Sequence, residues 1–382
     1  MNHLQTKLEA LKQEGQYRQL RSITNEGRFL HYEGWRYLNV TSNDYLGISS
    51  NTILQDLFFE QMECERSHLL GSTSSRLLTG NFNAFSLLEC QMATLFNREA
   101  CLVFNSGYHA NLGILPALAG KRDLVIADKF VHASIIDGMR LCEAKFERYQ
   151  HNNLVHLEQI LERNRALYEN IYIVTESVFS MDGDCADLVA LSELKERYGA
   201  FLYVDEAHAF GVYGNSGLGL CEATNTTHRI DLIVGTFGKA ISSQGAYLVC
   251  DAVVKEYLIN TMRPLIFSTA IAPINVLWSS FVVERLAQFT QERQRLIEMS
   301  NLFRDGLNER GFITKGSSQI VPLICGENSK AVELSEKLKD QGFWALPVRY
   351  PTVPKGEARI RFSLRPDITN DEVDALLKAI EI

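Results

Sequence analysis

Two short apolar runs between Phe201 and Gly245 each end in groups capable of covalent chemistry. FLYV is followed by Asp205 and His208, and LIVG by Thr236 and Lys239. In open α/β sheets the carboxyl ends of strands are where ligands bind. Lys239 stands among Gly238, Ala240, Ser242, Ser243 and Gly245, with almost no charge beside it. Desolvation lowers the pKa of an ammonium, so a lysine in such surroundings reads as a reacting amine rather than a solvated charge.

Other groups sit at comparable junctions. Ser106-Gly107-Tyr108 joins the apolar run ACLVF to the helical pattern NSGYHANLGIL. Free N–H groups at a helix start bind phosphate, although tight turns use glycine in the same way. His132 opens the next helical pattern, as a structural residue or as a ligand to a flat ring. VFSMDGDCADL carries Ser180, Asp182 and Asp184 but lacks the spacing and distal glutamate of a calcium loop. Arg76, in a loop of small hydroxyl residues, fits an anion site or a cap on carbonyls. Asn43 and Asp44 lie in the turn-rich TSNDYLGISS, where they bond local backbone or face a ligand. In RIRFSL, alternation puts Arg359, Arg361 and Ser363 on one face. An arginine there is a bidentate partner for a carboxylate; the alternative is a solvent-facing edge strand.

One cofactor uses these parts together. Pyridoxal phosphate needs an amine for its aldehyde, a carboxylate against its ring nitrogen and a phosphate cradle. Lys239 fits the amine and Asp205 the carboxylate. His208 would reach the phenolic oxygen, His132 the ring face, and Ser106-Gly107-Tyr108 the phosphate. Asp205 and His208 as metal ligands lack a third ligand at a convincing spacing, and no GxGxxG with a distal acidic residue supports a nicotinamide fold.

The elements that would position these groups follow from periodicity. An amphipathic helix is expected to about residue 20, with Leu4, Leu8 and Leu11 in register, then a hairpin at GRFLHYEGWRYLNV. A helix from about Asn83 should turn Leu87, Leu88, Met92 and Leu95 inward. From residue 100 strand and helix alternate, which implies an α/β fold with a mostly parallel sheet and helices on both faces. GAYLVCD reads as an antiparallel strand at the sheet's far side. INTMRPLIFSTAIAP reads as irregular, and Pro273 to about Asn308 as one long helix. The tail, with strands at QIVPLICG, FWALPV and RIRFSL, is a smaller α+β domain. The expected division is 1–45, packing with the small domain, then 46–285 and 286–382.

Bulk composition narrows the function classes. The 382 residues are 46% hydrophobic and 22% charged, as expected for a soluble globular protein, and the net charge of −8 disfavours nucleic acid as a partner. The eight cysteines form no CxxC pair, so neither a zinc site nor a disulfide frame is expected. The polar N-terminus is unlike a signal peptide, and no apolar run approaches the roughly 20 residues that span a bilayer. A cytoplasmic enzyme is the expectation.

The set NDYLG (Asn43–Gly47), SGYxAN (Ser106–Asn111), ESVFSMDGD (Glu176–Asp184), VDEAHAFGVYGNSGLG (Val204–Gly219) and TFGKA (Thr236–Ala240) resembles the α-oxoamine synthases. These fold-type-I pyridoxal phosphate transferases join an amino acid to an acyl thioester with loss of CO2. SRLLTGNFNAF and PTVPKG are similar to the branch that uses L-alanine and a pimeloyl thioester, on CoA or acyl-carrier protein, in biotin synthesis. The resemblance implies Lys239, His132, Asp205 and His208 as catalytic residues. It implies Ser106, Gly107, Tyr108, Ser180 and Thr236 around the cofactor, with Thr269 reaching a partner subunit's phosphate across a homodimer. Arg361, with Asn43, would bind the amino-acid carboxylate. Ser75 and Thr352 would face substrate, and Arg18 or Arg21 the far carboxylate of the acyl chain. GSTSSR departs from the family in carrying Thr73 and Ser74 where relatives often have glycines. Arg76 and YPTVPKGEARIR also echo glycine C-acetyltransferase and serine palmitoyltransferase branches. A non-catalytic regulator on this fold is the alternative from another class.

Overall fold

The computed structural model describes residues 2–65 and 70–381; Met1, at the head of the expected N-terminal helix, lies outside them. The chain divides into two compact units. The smaller holds residues up to Asn51, Ser180–Asp184 and residues from Gln294; the larger holds Thr52–Phe179 and Cys185–Arg293. The divisions thus fall beyond positions 45 and 285, and the Ser180 loop goes with the smaller unit.

The smaller unit begins with helix α1 (Asn2–Gln13) and strands β1 (Thr24–Glu26), β2 (Phe29–Tyr32) and β3 (Trp35–Asn39). α1 is shorter than its pattern, and Leu4, Leu8 and Leu11 are exposed rather than buried. β2 and β3 form the expected hairpin, Tyr32 opposite Trp35. Its turn residues Glu33 and Gly34 have φ of 51° and 83°, the positive pair that matches strand twist in a two-residue loop.

The larger unit opens with α2 (Thr52–Glu65) and α3 (Asn83–Leu95). Leu88 and Met92 of α3 are buried, but Leu87 and Leu95 are exposed. Leu87 is one helical step round from the buried face, and Leu95 is the last helical residue. Strand and helix then alternate through β4 (Ala100–Phe104), α4 (Gly107–Leu118), β5 (Leu124–Asp128), α5 (Ala133–Leu141), β6 (Lys145–Tyr149) and α6 (Leu154–Asn164). The series continues with β7 (Ile171–Glu176), α7 (Leu188–Tyr198), β8 (Phe201–Asp205), α8 (Leu220–Ala223), β9 (Leu232–Thr236) and β10 (Ala246–Cys250).

The seven strands lie in the order β4-β10-β9-β8-β7-β5-β6. β5 to β9 pair in parallel with one another. β10 is antiparallel as expected, yet it sits between β4 and β9, not at the sheet's far side. Being antiparallel to both, it leaves β4 running the same way as β9. Residues of β4, β5, β7 and β10 are buried throughout, as near-continuous apolar strands are when both faces are covered. Leu102, Val125, Val174 and Val234 pack in one core with Ile114 and Leu115 of α4 and Ile135 and Met139 of α5. Each such side chain stabilises the fold by about 1.5–3 kcal/mol relative to exposure.

The segment expected to be irregular contains the end of α9 (Ala252–Thr261) and all of α10 (Arg263–Ile266), with Pro264 in the first turn. The expected long helix is broken into α11 (Pro273–Glu284), a 3-10 turn at Leu286–Phe289 and α12 (Thr290–Glu309). Arg293 Nη1 donates to the Leu286 carbonyl at 2.7 Å, which satisfies that group outside the helical ladder.

The smaller unit resumes with β11 (Ile320–Gly326), α13 (Asn328–Asp340), β12 (Phe343–Trp344), β13 (Pro347–Val348), β14 (Ala358–Ser363) and α14 (Asn370–Glu381). FWALPV is two strands rather than one: β12 pairs with β3, and β13 with β14. β14 is the middle strand of β11-β14-β13 and is buried along its length, which excludes the edge-strand alternative. Among the described residues no helix is long and apolar enough to cross a membrane.

Candidate active site

The parallel strands of the larger unit bring polar groups to one edge of the sheet. β8 ends at Asp205, β7 at Glu176 and β9 at Thr236, with Lys239 three residues further on. β4 leads to Ser106, the N-cap of α4, whose Oγ accepts from the His109 N–H at 3.2 Å. β5 leads to His132, the N-cap of α5. A cavity of about 190 Å³ is lined by Gly107, Tyr108, His132, Asp205, His208, Thr236 and Lys239 from the expected set. Asn111, Ser134, Glu176 and Ala207 complete its wall.

Lys239 does not stand among small residues alone: its Nζ lies 2.7 Å from His208 Nε2. Asp205 is buried, with Oδ2 accepting from Asn111 Nδ2 at 2.8 Å and Oδ1 from the Ala207 N–H at 2.9 Å. Asn111 also donates to Ser134 Oγ at 3.0 Å and accepts from the Tyr203 hydroxyl at 2.5 Å. Ser134 Oγ in turn meets His132 Nδ1 at 2.7 Å. Burial holds the His132 imidazole below its usual range, against the pull of Asp205, so its neutral form is favoured. Thr236 Oγ1 donates to the Gly245 carbonyl and accepts from the Gly238 N–H, fixing the turn that carries Lys239. Tyr108 donates to Asp137 at 2.6 Å.

Sequence reasoning missed Asn111, Ser134 and Glu176. Asn111 closes the SGYxAN motif and Glu176 opens ESVFSMDGD. The signal for Asn111 was its spacing: it lies one helical turn beyond Gly107, on the face that α4 turns to the cavity.

Other expected residues lie outside this cavity. Ser75 forms an isolated bridge with Thr269, whose carbonyl accepts from Asn105 Nδ2 at 2.6 Å. Arg76 is a structural residue: it pairs with Glu89 at 2.6 Å and donates to the Val103 carbonyl at 2.9 Å. In the smaller unit, Arg361 donates from Nε to the Ser180 carbonyl at 2.5 Å and from Nη2 to the Tyr45 hydroxyl at 3.0 Å. Tyr45 donates to Asn43 Oδ1 at 3.2 Å, so Asn43, Ser180 and Arg361 form one cluster. Arg359, on the same strand face, is taken up by Asp182.

The smaller unit has its own cavity, of about 200 Å³, lined by Gln16, Arg18, Met181, Arg349 and Thr352 among others. Arg18 donates to Thr352 Oγ1 at 2.9 Å. Arg21 instead lies over the Trp344 ring, 5.4 Å from its centroid. Arg349 is lowered from the usual arginine range by burial, then by the charges of Arg18 and Arg21. A larger cavity of about 770 Å³ lies along α3, β4 and α9. On its wall Lys255 pairs with Glu89, and Arg98 with Asp251. Among the described residues no cluster of His, Cys, Asp or Glu could hold a metal ion.

The donor set of the Lys239 cavity fits pyridoxal phosphate. It offers an amine, a buried and anchored carboxylate, two imidazoles and the open N-terminus of α4. Gly107, the first residue of α4, lines this cavity together with Thr236.

Comparison with known proteins agrees with that chemistry. The family described as aminotransferase class I and II matches residues 36–380. The 8-amino-7-oxononanoate synthase of Haemophilus ducreyi is 51% identical over an alignment of 387 positions that covers 100% of both chains. Serine palmitoyltransferase from S. paucimobilis, solved with a bound PLP–myriocin aldimine, has a TM-score of 0.91 at 27% identity, covering 99% of this chain and 96% of that one. The 8-amino-7-oxononanoate synthase of Francisella tularensis has a TM-score of 0.75 at 28% identity, covering 90% of this chain and 96% of that one.

Proposed function

This chain belongs to the aminotransferase class I and II family and is a pyridoxal-phosphate-dependent enzyme, and from that premise we propose that it condenses L-alanine with a pimeloyl thioester. The products are 8-amino-7-oxononanoate, CO2 and free thiol. The observation that carries the substrate reading is the smaller unit's cavity. Arg18 and Arg349 line it together, and neither pairs with a carboxylate among the described residues. Arg18 donates to Thr352 and Arg349 to the Gly15 and Tyr17 carbonyls, so their charges remain to attract an anion, here the far carboxylate of the acyl chain. Arg18, bonded to Thr352, is the better candidate than Arg21, which is engaged with Trp344.

Bound pyridoxal phosphate accepts the electron pair left when a bond at an amino acid's α-carbon breaks. Asp205, fixed by Asn111 and Ala207, keeps the ring nitrogen protonated. Lys239 supplies the amine that holds the aldehyde and then carries the α-proton, with His208 at 2.7 Å to exchange hydrogen bonds with Nζ. Ser106, Gly107 and Tyr108 offer the start of α4 to the phosphate. Ser180 and Thr236 support the cofactor, and Thr269 serves the partner's phosphate in a homodimer. Arg361, with Asn43, would take the amino-acid carboxylate. Ser75 and Thr352 face substrate. The enzyme works in the cytoplasm, without nucleic acid or membrane as partner.

Thiol release measured over a matrix of alanine, glycine and serine against pimeloyl, acetyl and palmitoyl thioesters tests the reading. Alanine with the pimeloyl thioester should give the highest kcat/KM. Faster turnover of glycine with acetyl-CoA, or of serine with palmitoyl-CoA, would move the chain to another branch. No turnover of any pair would favour a regulator on this fold.

A further inference from the structure

Glu176, the last residue of β7, stands opposite Asp205 in the parallel register of β7 and β8. Adjacent strands lie about 4.8 Å apart, and cross-strand partners project to the same face, so two carboxyl groups are side by side. Asp205 has two donors, Asn111 and the Ala207 N–H. Glu176 is 3% exposed and faces the same cavity, yet its Oε1 has no hydrogen-bond partner among the described residues. The ionisable groups that act on it are Asp205 on β8, Asp128 on β5, His132 at the start of α5 and Lys239 beyond β9, and His208 and Tyr108 share its cavity wall. Burial, then the Asp205 charge, pushes the Glu176 carboxyl well above the usual carboxylate range; Lys239 and the His132 backbone pull the other way.

A buried polar atom without a partner is costly, and the residue that bears it lines the cavity assigned to the cofactor. We propose that Glu176 is a neutral carboxylic acid whose O–H donates to an acceptor on the bound cofactor, leaving Asp205 to carry the charge of the pair. Two carboxyl groups this close do not both ionise readily. The neutral member supplies a donor where a second anion would repel the electron-rich ring oxygen or the phosphate. The inference rests on the cofactor assignment and not on the identity of the substrates.

The test strips the whole chain of cofactor and titrates it with pyridoxal phosphate, followed by visible absorbance. Glu176→Gln keeps the shape and a donor but cannot ionise. Its affinity should stay within about threefold of wild type, and its band should titrate with pH as the wild-type band does. Glu176→Ala removes the donor, and affinity should fall about tenfold or more. A loss of about tenfold in the Gln variant would mean that a negative charge is required, and wild-type affinity in the Ala variant would mean that Glu176 gives the ligand nothing; either overturns the proposal. If the Ala variant does not fold, the infrared difference spectrum between wild-type and Gln holoenzymes decides. Loss of a carboxylic-acid carbonyl band supports the neutral acid, and loss of carboxylate bands refutes it. Wild-type protein that develops no visible band would instead refute the cofactor assignment, a separate failure.

Discussion

Asn111 holds more of the cavity together than any residue singled out by its type. Its amide donates to Asp205 and Ser134 while its oxygen accepts from Tyr203. Asn111→Ala would strand the Asp205 Oδ2 and the Tyr203 hydroxyl in buried surroundings, at about 1–3 kcal/mol each. Pyridoxal phosphate affinity should then fall roughly 10- to 100-fold in an absorbance titration; unchanged affinity would show that Asp205 holds its place without Asn111. Glu176 makes a prediction about the apoprotein. Its folded value is raised, so its contribution to stability is present below about pH 4.3 and is lost as pH rises through the folded value. Thermal unfolding of Glu176→Gln should therefore gain on wild type as pH rises from about 5 to 8. A difference that does not change with pH would contradict the neutral acid. Asp205, His208 and Lys239 were legible in sequence because polar groups at the end of apolar runs stand out. Asn111 and Glu176 were not, since one reads as a helix residue and the other as a strand end until the strands are placed side by side.

The elements act by fixing where those side chains start. α4 and α5 approach closely because Gly138 has no side chain: a Cβ there would lie 2.3 Å from the Asn111 carbonyl oxygen. Gly138→Ala must push α5 away from α4 and so disturb both Asn111 and the His132 cap. Overpacking of this kind costs about 1–3 kcal/mol. A lowered Tm together with weaker cofactor binding is expected, and a drop in Tm alone would show that the two helices move without the site. Strand and helix types were readable from period and apolar content along most of this unit. The place of β10 between β4 and β9 was not, because partner choice is made by the whole sheet and not by the strand's own residues. The break between α11 and α12 was hidden for a related reason: no proline or glycine marks it, and Arg293 stabilises it from a turn further on.

For the whole molecule, each unit carries its own cavity: Lys239, Asp205 and His208 line that of the larger, and Arg18 and Arg349 that of the smaller. Arg18→Ala should raise KM for a pimeloyl thioester roughly 10- to 100-fold, the worth of a hydrogen bond to a charged group at about 1.5–3 kcal/mol. It should leave the holoenzyme's visible spectrum unchanged and a heptanoyl thioester, which lacks the far carboxylate, nearly unaffected. Equal losses with both thioesters would remove Arg18 from carboxylate recognition. The proposed chemistry requires Lys239 to be the amine that holds the cofactor. Borohydride reduction of the holoenzyme followed by peptide mass mapping tests that most directly. A pyridoxyl adduct on the peptide bearing Lys239, with loss of the yellow band, is the predicted result; an adduct on another lysine, or none, would contradict it.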